Sequence, residues 1–156
     1  LNGEAHGLLA AALAAQPEAA GHIQAVHADL RTYAPAQAGQ FHLAACNPPY
    51  FTGGHVSPDP ARAAARHEET CAFEDAAACA ARLLRDGGRF AVCHRPEQLA
   101  RVLAALTAAR LEPKRLQFVK QAPDAAPWLF LCEAQKNRCP GLTVLPDLLP
   151  GQYPHY

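Results

Sequence analysis

The chain has 156 residues, 50% of them hydrophobic, which suits a single domain over residues 1–156 with a substantial core. Its 14 Lys and Arg residues balance 14 Asp and Glu residues, which excludes a uniformly basic protein and leaves a local patch as the route to any nucleic acid. Because no two cysteines have Cys-x-x-Cys spacing, we expect no metal site. Because the sequence has no long apolar run and no signal peptide, we expect a cytoplasmic protein without membrane contact, whose thiols are reduced.

The first part of the chain is predicted to contain one helix and two strands. An alanine-rich helix covers residues 4–16 and ends before a proline. Residues 23–28 have the composition of a strand, and residues 30–40 form a loop. The apolar run 41–46 predicts a buried strand that stops abruptly. Residues 51–72 have weak periodicity, which is typical of a long functional loop.

The second part of the chain alternates helices with strands. The predicted elements are a helix at 74–85, a strand at 89–94, a helix at 96–110, and strands at 114–121 and 128–134. Asp86-Gly87-Gly88 is a stop signal for the first of these helices. This alternation predicts a parallel α/β sheet with helices on both faces, and the short last connection predicts an antiparallel final strand. The proline-rich residues 139–156 are predicted to form an irregular tail.

The residues after the 41–46 strand carry the chemistry that the sequence predicts. The adjacent Pro48 and Pro49 cannot donate to a sheet ladder, so the backbone must leave the sheet there. Parallel α/β sheets bind ligands beyond the carboxyl ends of their strands, where this corner is expected. Asn47 Oδ1 and the Pro48 carbonyl can accept both hydrogens of a planar NH2 group, while Tyr50 stacks on its ring. The alternative is a rigid turn with a buried tyrosine.

Several cations are candidates for phosphate contacts. Arg62, Arg66 and His67 lie in the loop after the proline corner, and Lys114 and Arg115 lie at a later strand. Arg62 and Arg66 are the better candidates, because they adjoin the expected target pocket. Ordinary solvated charge is the alternative for each cation, and His67 can instead fix its own loop by hydrogen bonds.

Short stretches of this chain match one family of enzymes. Asn47-Pro48-Pro49-Tyr50 is shared by many methyltransferases that act on amino groups, whereas Gly53-Gly54-His55 and Ala65-Arg66-His67-Glu68 are narrower. With these segments, residues 20–148 resemble the bacterial valine-tRNA adenine-N6 methyltransferases. The resemblance implies S-adenosylmethionine as methyl donor, tRNA as substrate, and N6-methyladenosine beside the anticodon as product.

The resemblance also implies roles for individual residues and a Rossmann-like class I methyltransferase fold. Asn47-Pro48-Pro49-Tyr50 would hold the target amine, while Asp29, Leu30 and Asn47 would contact the cofactor. Asp29 follows a predicted strand end, so its carboxylate suits the amino group of the cofactor adenine, although a turn or helix cap is the alternative. The glycine-rich cofactor loop of the family would precede Leu1, and the chain has no methionine. We therefore expect an N-terminally incomplete domain.

Two other functions remain open from the sequence. The same proline corner serves methyltransferases that act on protein glutamine, DNA adenine or ribosomal RNA guanine. A non-catalytic module that keeps the fold without the cofactor is the second alternative, because the glycine-rich loop is missing from these residues. We expect a monomer in either case.

Overall fold

The computed structural model describes residues 3–48 and 72–151. The chain divides into two compact units, Leu1–Tyr33 and Ala34–Tyr156, which are described separately below. The single domain expected from the sequence stays a prediction.

The first unit contains two helices and an extended segment. Helix α1 covers Gly3–Ala14, and the short helix α2 covers Pro17–Ala20, with its proline in the first turn, where the missing N–H costs nothing. The predicted strand at residues 23–28 is wrong, because these residues pair with no strand in the described parts of the chain. Ile23 and Val26 accordingly remain 53% and 47% exposed. A strand depends on a neighbour for its hydrogen bonds, and apolar composition alone does not supply one.

The second unit is built on a sheet of five strands. Its elements are β1 (Phe41–Cys46), α3 (Phe73–Leu83), β2 (Leu84–His94), a 3-10 turn (Pro96–Gln98), α4 (Leu99–Ala108), β3 (Leu111–Val119), β4 (Leu129–Lys136) and β5 (Thr143–Val144). The strand order is β1-β2-β4-β3-β5. Strands β1 and β2 are parallel, and β4 runs antiparallel to both β2 and β3. The expected parallel sheet with an antiparallel final strand is therefore confirmed. The tail contributes β5, which pairs in parallel with β3.

The helix before β2 ends earlier than the sequence predicts. Helix α3 begins at Phe73, where the Asp75 carboxylate accepts the Ala72 backbone N–H at 3.2 Å, and it ends at Leu83. Leu84 is already extended, and its side chain is fully buried in the core. The stop signal therefore lies inside β2, at an irregularity in its pairing with β1. Gly87 has a φ of +74°, a left-handed backbone conformation that strongly favours glycine.

One face of the sheet forms the core. The buried residues of α3 and α4 join inward-facing residues of three strands in a single cluster, which includes Phe73, Ala77, Val102, Leu106, Phe90, Val92, Leu116, Phe130, Cys132 and Ala134. Helices α3 and α4 therefore both pack on the same face. The sequence predicts helices on both faces, but the described residues of this unit place them on one. The opposite face carries the groove described next.

Candidate active site

The carboxyl ends of β1 and β2 lie side by side at one edge of the sheet. Cys46, the last residue of β1, is paired in register with Val92, so Asn47 and Cys93 are the next residues along. Both residues line a groove of about 510 Å³ that runs across the sheet face opposite the core. Leu131, Glu133 and Gln117 continue this groove over β4 and β3. The position agrees with the expectation that ligands bind beyond the carboxyl ends of parallel strands.

Asn47 and Pro48 are the described part of the proline corner. The side chain of Asn47 is exposed at the groove, and its Oδ1 accepts a hydrogen bond from the Cys93 thiol at 3.3 Å. Pro48 is buried, which anchors the backbone directly after Asn47. Pro49 and Tyr50 lie outside the described residues. The corner thus presents an amide to the groove from a fixed point of the backbone.

A charged cluster forms the far wall of the groove. The Glu133 carboxylate accepts two hydrogen bonds from Arg115, from Nε at 3.2 Å and from Nη2 at 2.7 Å. Arg89 Nη1 approaches the same carboxylate at 3.8 Å. The hydrogen bond to Glu133 raises the pKa of the Arg115 guanidinium, so the arginine remains charged. The cluster therefore holds two positive charges and one negative charge, and the Arg115 guanidinium that lines the groove is already paired with Glu133.

The predicted phosphate contacts differ in what the structure shows of them. Arg115 has the Glu133 partner just described, although its side chain is 54% exposed. Lys114 Nζ donates to the Cys139 carbonyl. Arg62, Arg66 and His67 lie outside the described residues. A phosphate role for these five residues stays a prediction, and for Arg115 it requires competition with Glu133.

Asp29 and Leu30, the predicted cofactor contacts, belong to the first unit. Arg31 donates hydrogen bonds to both carboxylate oxygens of Asp29. Its backbone N–H and its Nε lie 2.9 Å and 3.0 Å from Oδ1, and its Nη2 lies 2.5 Å from Oδ2. These hydrogen bonds lower the pKa of the Asp29 carboxyl to about 2. The Asp29 carbonyl also accepts the Tyr33 N–H at 2.8 Å, and Leu30 is half-buried. The described contacts are those of a turn residue, which the sequence left as the alternative.

Two residues of the groove were not predicted from the sequence. Neither Cys93 nor Glu133 is among the candidate residues that the sequence predicts. The available signal for Cys93 was its position at the end of a strand beside the one that leads into Asn47. No group of three or more His, Cys, Asp or Glu side chains in residues 3–48 and 72–151 is arranged to hold a metal ion. In the same residues, no helix has the length and apolar character needed to cross a membrane.

Comparison with known proteins identifies the relatives of this chain. No family model matches it. The tRNA1(Val) (adenine(37)-N6)-methyltransferase of Parabacteroides distasonis is 32% identical over 114 residues, which cover 73% of this chain and 48% of that protein. The protein of the same name from Tolumonas auensis is 34% identical over 113 residues, covering 70% and 45%. The chain thus spans about half the length of the curated relatives it matches.

Comparison with solved structures supports the fold. The crystal structure of a predicted O-methyltransferase from Agrobacterium tumefaciens superimposes with a TM-score of 0.72 at 22% identity, over 96% of this chain and 67% of that one. At this identity the likeness concerns the fold alone. The likeness supports a Rossmann-like class I methyltransferase fold for this chain, whose strand β4 runs antiparallel to β2 and β3. The chain is thus related in sequence to the bacterial tRNA1(Val) (adenine(37)-N6)-methyltransferases, and it shares the fold of a methyltransferase.

Proposed function

We propose that this protein methylates the N6 amine of an adenosine in tRNA, with the adenosine beside the anticodon of valine tRNA as the expected target. The observation that carries the proposal is the placement of Asn47, exposed at the mouth of the groove directly after β1. The names of the curated relatives support the same reaction. Because the substrate would be cytoplasmic tRNA, we also propose that the protein is located in the cytoplasm.

The chemistry follows from the acceptors at this corner. The exocyclic amine of adenine is a poor nucleophile, because its lone pair is delocalised into the ring. Asn47 Oδ1 and the Pro48 carbonyl would accept the two amine hydrogens, which raises the electron density on nitrogen and fixes its direction. Alignment of this kind can supply a large part of a rate enhancement. No strong base is required beforehand, since the amine proton becomes acidic only after the nitrogen is methylated.

The cofactor that suits this site is S-adenosylmethionine, which supplies the electrophilic methyl group when bound. The exposed residue Asn47 and the open groove beside it fit a ligand at this edge of the sheet. Asp29 and Leu30 are proposed as further contacts to the cofactor adenine and its surroundings. For Asp29 this role requires its carboxylate to exchange Arg31 for an amino group.

The proposed RNA contacts are charged residues near the target pocket and on β3. Arg62, Arg66 and His67 follow the proline corner in sequence, which favours contacts with phosphates next to the flipped base. Lys114 and Arg115 would add contacts farther along the strand. Because the net charge of the chain is zero, binding would rest on these local cations and would weaken with salt.

The decisive experiment measures tritium transfer from labelled S-adenosylmethionine to unmodified valine tRNA by the natural protein that contains this sequence. We expect labelling of the wild type, and a loss of about a hundredfold or more in kcat for Asn47→Ala, because one preorganised polar contact to the reacting group is removed. Gln121→Ala, an amide truncation at an exposed loop position, should keep the wild-type rate.

The controls separate the competing functions. A valine tRNA with guanosine in place of the target adenosine should take up no label. Label recovered in a release-factor protein, in DNA or in ribosomal RNA would replace the proposal with one of the other amino methyltransferase activities. No transfer to any substrate, together with no heat of S-adenosylmethionine binding in calorimetry, would identify a non-catalytic module.

A further inference from the structure

We propose that Cys93 is a positioning residue for the methyl transfer, and that its thiol fixes the orientation of the Asn47 carboxamide. This inference rests on the proposed function and assigns a role to a second residue of the same site. The contact joins the ends of two neighbouring parallel strands, β1 and β2. The Cys93 thiol donates to Asn47 Oδ1 with a sulfur–oxygen distance of 3.3 Å.

The chemistry of an asparagine side chain explains why its orientation needs to be fixed. The oxygen and the NH2 group of a carboxamide are nearly equal in size, so sterics alone hardly distinguish the two orientations. Only one orientation presents an acceptor to the target amine, because the other turns two N–H donors toward its hydrogens. A thiol is a donor that pairs favourably with the oxygen, and it therefore favours the productive orientation of Asn47.

The weakness of the thiol as a donor also suits this role. The carboxamide oxygen has two lone pairs, and a bond from Cys93 occupies one of them. A thiol withdraws little of the acceptor strength of that oxygen, since S–H is a weak donor. A strong cation at the same position would compete with the substrate for the oxygen.

Within the described part of the chain, Cys93 does not belong to the hydrophobic core cluster. Its side chain is half-buried on the groove face, and it is absent from the core cluster that contains Cys132 of the adjacent strand β4. Cys93 is instead paired in register with Leu131, a residue that is 37% exposed. The thiol thus lies where it contacts Asn47 and lines the groove, outside the hydrophobic core.

The test compares Cys93→Ala and Cys93→Ser in the tRNA methylation assay, with the exposed thiol variant Cys139→Ala as the matched control. We expect Cys93→Ala to lower kcat about threefold to tenfold, the worth of one hydrogen bond, with little change in the KM for S-adenosylmethionine. Cys93→Ser keeps a donor at this position, although a stronger one, so we expect its kcat to lie between those of the wild type and Cys93→Ala. Cys139→Ala should match the wild type.

A second measurement keeps this inference separate from the proposed function. The side-chain NH2 resonances of Asn47 are followed by NMR, and we expect them to shift or broaden in Cys93→Ala and to recover in Cys93→Ser. Wild-type kcat in Cys93→Ala, or unchanged Asn47 resonances, would overturn the positioning role. A wild-type protein that labels no tRNA would overturn the proposed function, while the NMR comparison would still decide whether Cys93 orients Asn47.

Discussion

The two faces of the sheet differ although they are built from the same strands. On β4, Phe130 and Ala134 are fully buried, whereas Leu131 between them is 37% exposed. On β2, Phe90 and Val92 join the core cluster, while Cys93 faces the groove. Because side chains alternate along a strand, each strand supplies one residue to stability and the next to the site.

The same alternation continues beyond the end of β1. Asn47 is exposed toward the groove, and the following Pro48 is buried. The buried proline is therefore an anchor for the exposed amide, which explains how a chain that leaves the sheet still holds a polar side chain in a defined place. The comparison indicates that core-face residues set stability, while residues of the groove face are available for chemistry.

The most direct test of the difference between the two sheet faces is to truncate neighbouring residues of β4 that lie on opposite faces. Phe130→Ala removes a fully buried ring that lies 6.4 Å, centroid to centroid, from the His94 ring. We expect it to lower the free energy of unfolding by about 3–5 kcal/mol, from lost burial and the cavity left behind. Urea unfolding followed by circular dichroism measures the change.

Leu131→Ala is the matched control for the core truncation. Its side chain is partly exposed on the groove face, so we expect a loss below about 1 kcal/mol. A loss for Leu131→Ala equal to that for Phe130→Ala would show that something covers the groove face as completely as the helices cover the core. The distinction between the two faces would then be wrong.

The fold could be predicted from the sequence where the signal is local. The helix α4 and the strands β3 and β4 form where the local patterns predict them. Strand β1 also forms at residues 41–46, but the prediction that it is buried is wrong, because its residues are exposed or half-buried. The predicted strand at residues 23–28 is wrong, because a strand depends on a partner strand for its hydrogen bonds. The predicted end of the helix at residue 85 is wrong, because the chain becomes extended at Leu84, before the glycines, where the leucine side chain is buried in the core. Packing here outweighs the stop signal.

The site could be predicted only in part, for the same reason. Asn47 is identified by its motif, which is local in sequence. Its contact with Cys93 joins positions 46 residues apart, and it depends on the register of β1 with β2. The pairing of Arg115 with Glu133 depends on the register of β3 with β4, which shifts between Pro113 and Arg115. No single-sequence pattern encodes such a shift.

The two faces of the sheet should also differ in thiol reactivity, which can be compared at Cys93 on the groove face and Cys132 on the core face. Burial, and secondarily the charge of Glu133, raises the pKa of the Cys132 thiol from 9.0 to about 12. At pH 8 this lowers its thiolate fraction about a thousandfold, so we expect Cys93 to be alkylated well before Cys132 in the native protein. Peptide mapping by mass spectrometry after timed alkylation measures both rates.

The same pKa predicts how stability depends on pH. Because the folded state holds the Cys132 proton more tightly than the unfolded chain, this contribution is complete below about pH 9 and is lost as the pH rises toward 12. Cys132→Ala should remove this part of the alkaline decline. In the alkylation experiment, equal rates for Cys93 and Cys132 would contradict the burial of Cys132.

The smallest expected effect concerns the ion pair on the groove face. The side chains of Arg115 and Glu133 are 54% and 17% exposed, so water screens much of their attraction despite the two hydrogen bonds. A double-mutant cycle with Arg115→Gln and Glu133→Gln should give a coupling of about 0.2–1 kcal/mol in urea unfolding, smaller in high salt. Arg101 and Glu74, an ion pair between α4 and α3, are the matched control away from the groove. A coupling several times larger for Arg115 and Glu133 would mean that the groove face excludes water, which would remove the physical difference between the two faces.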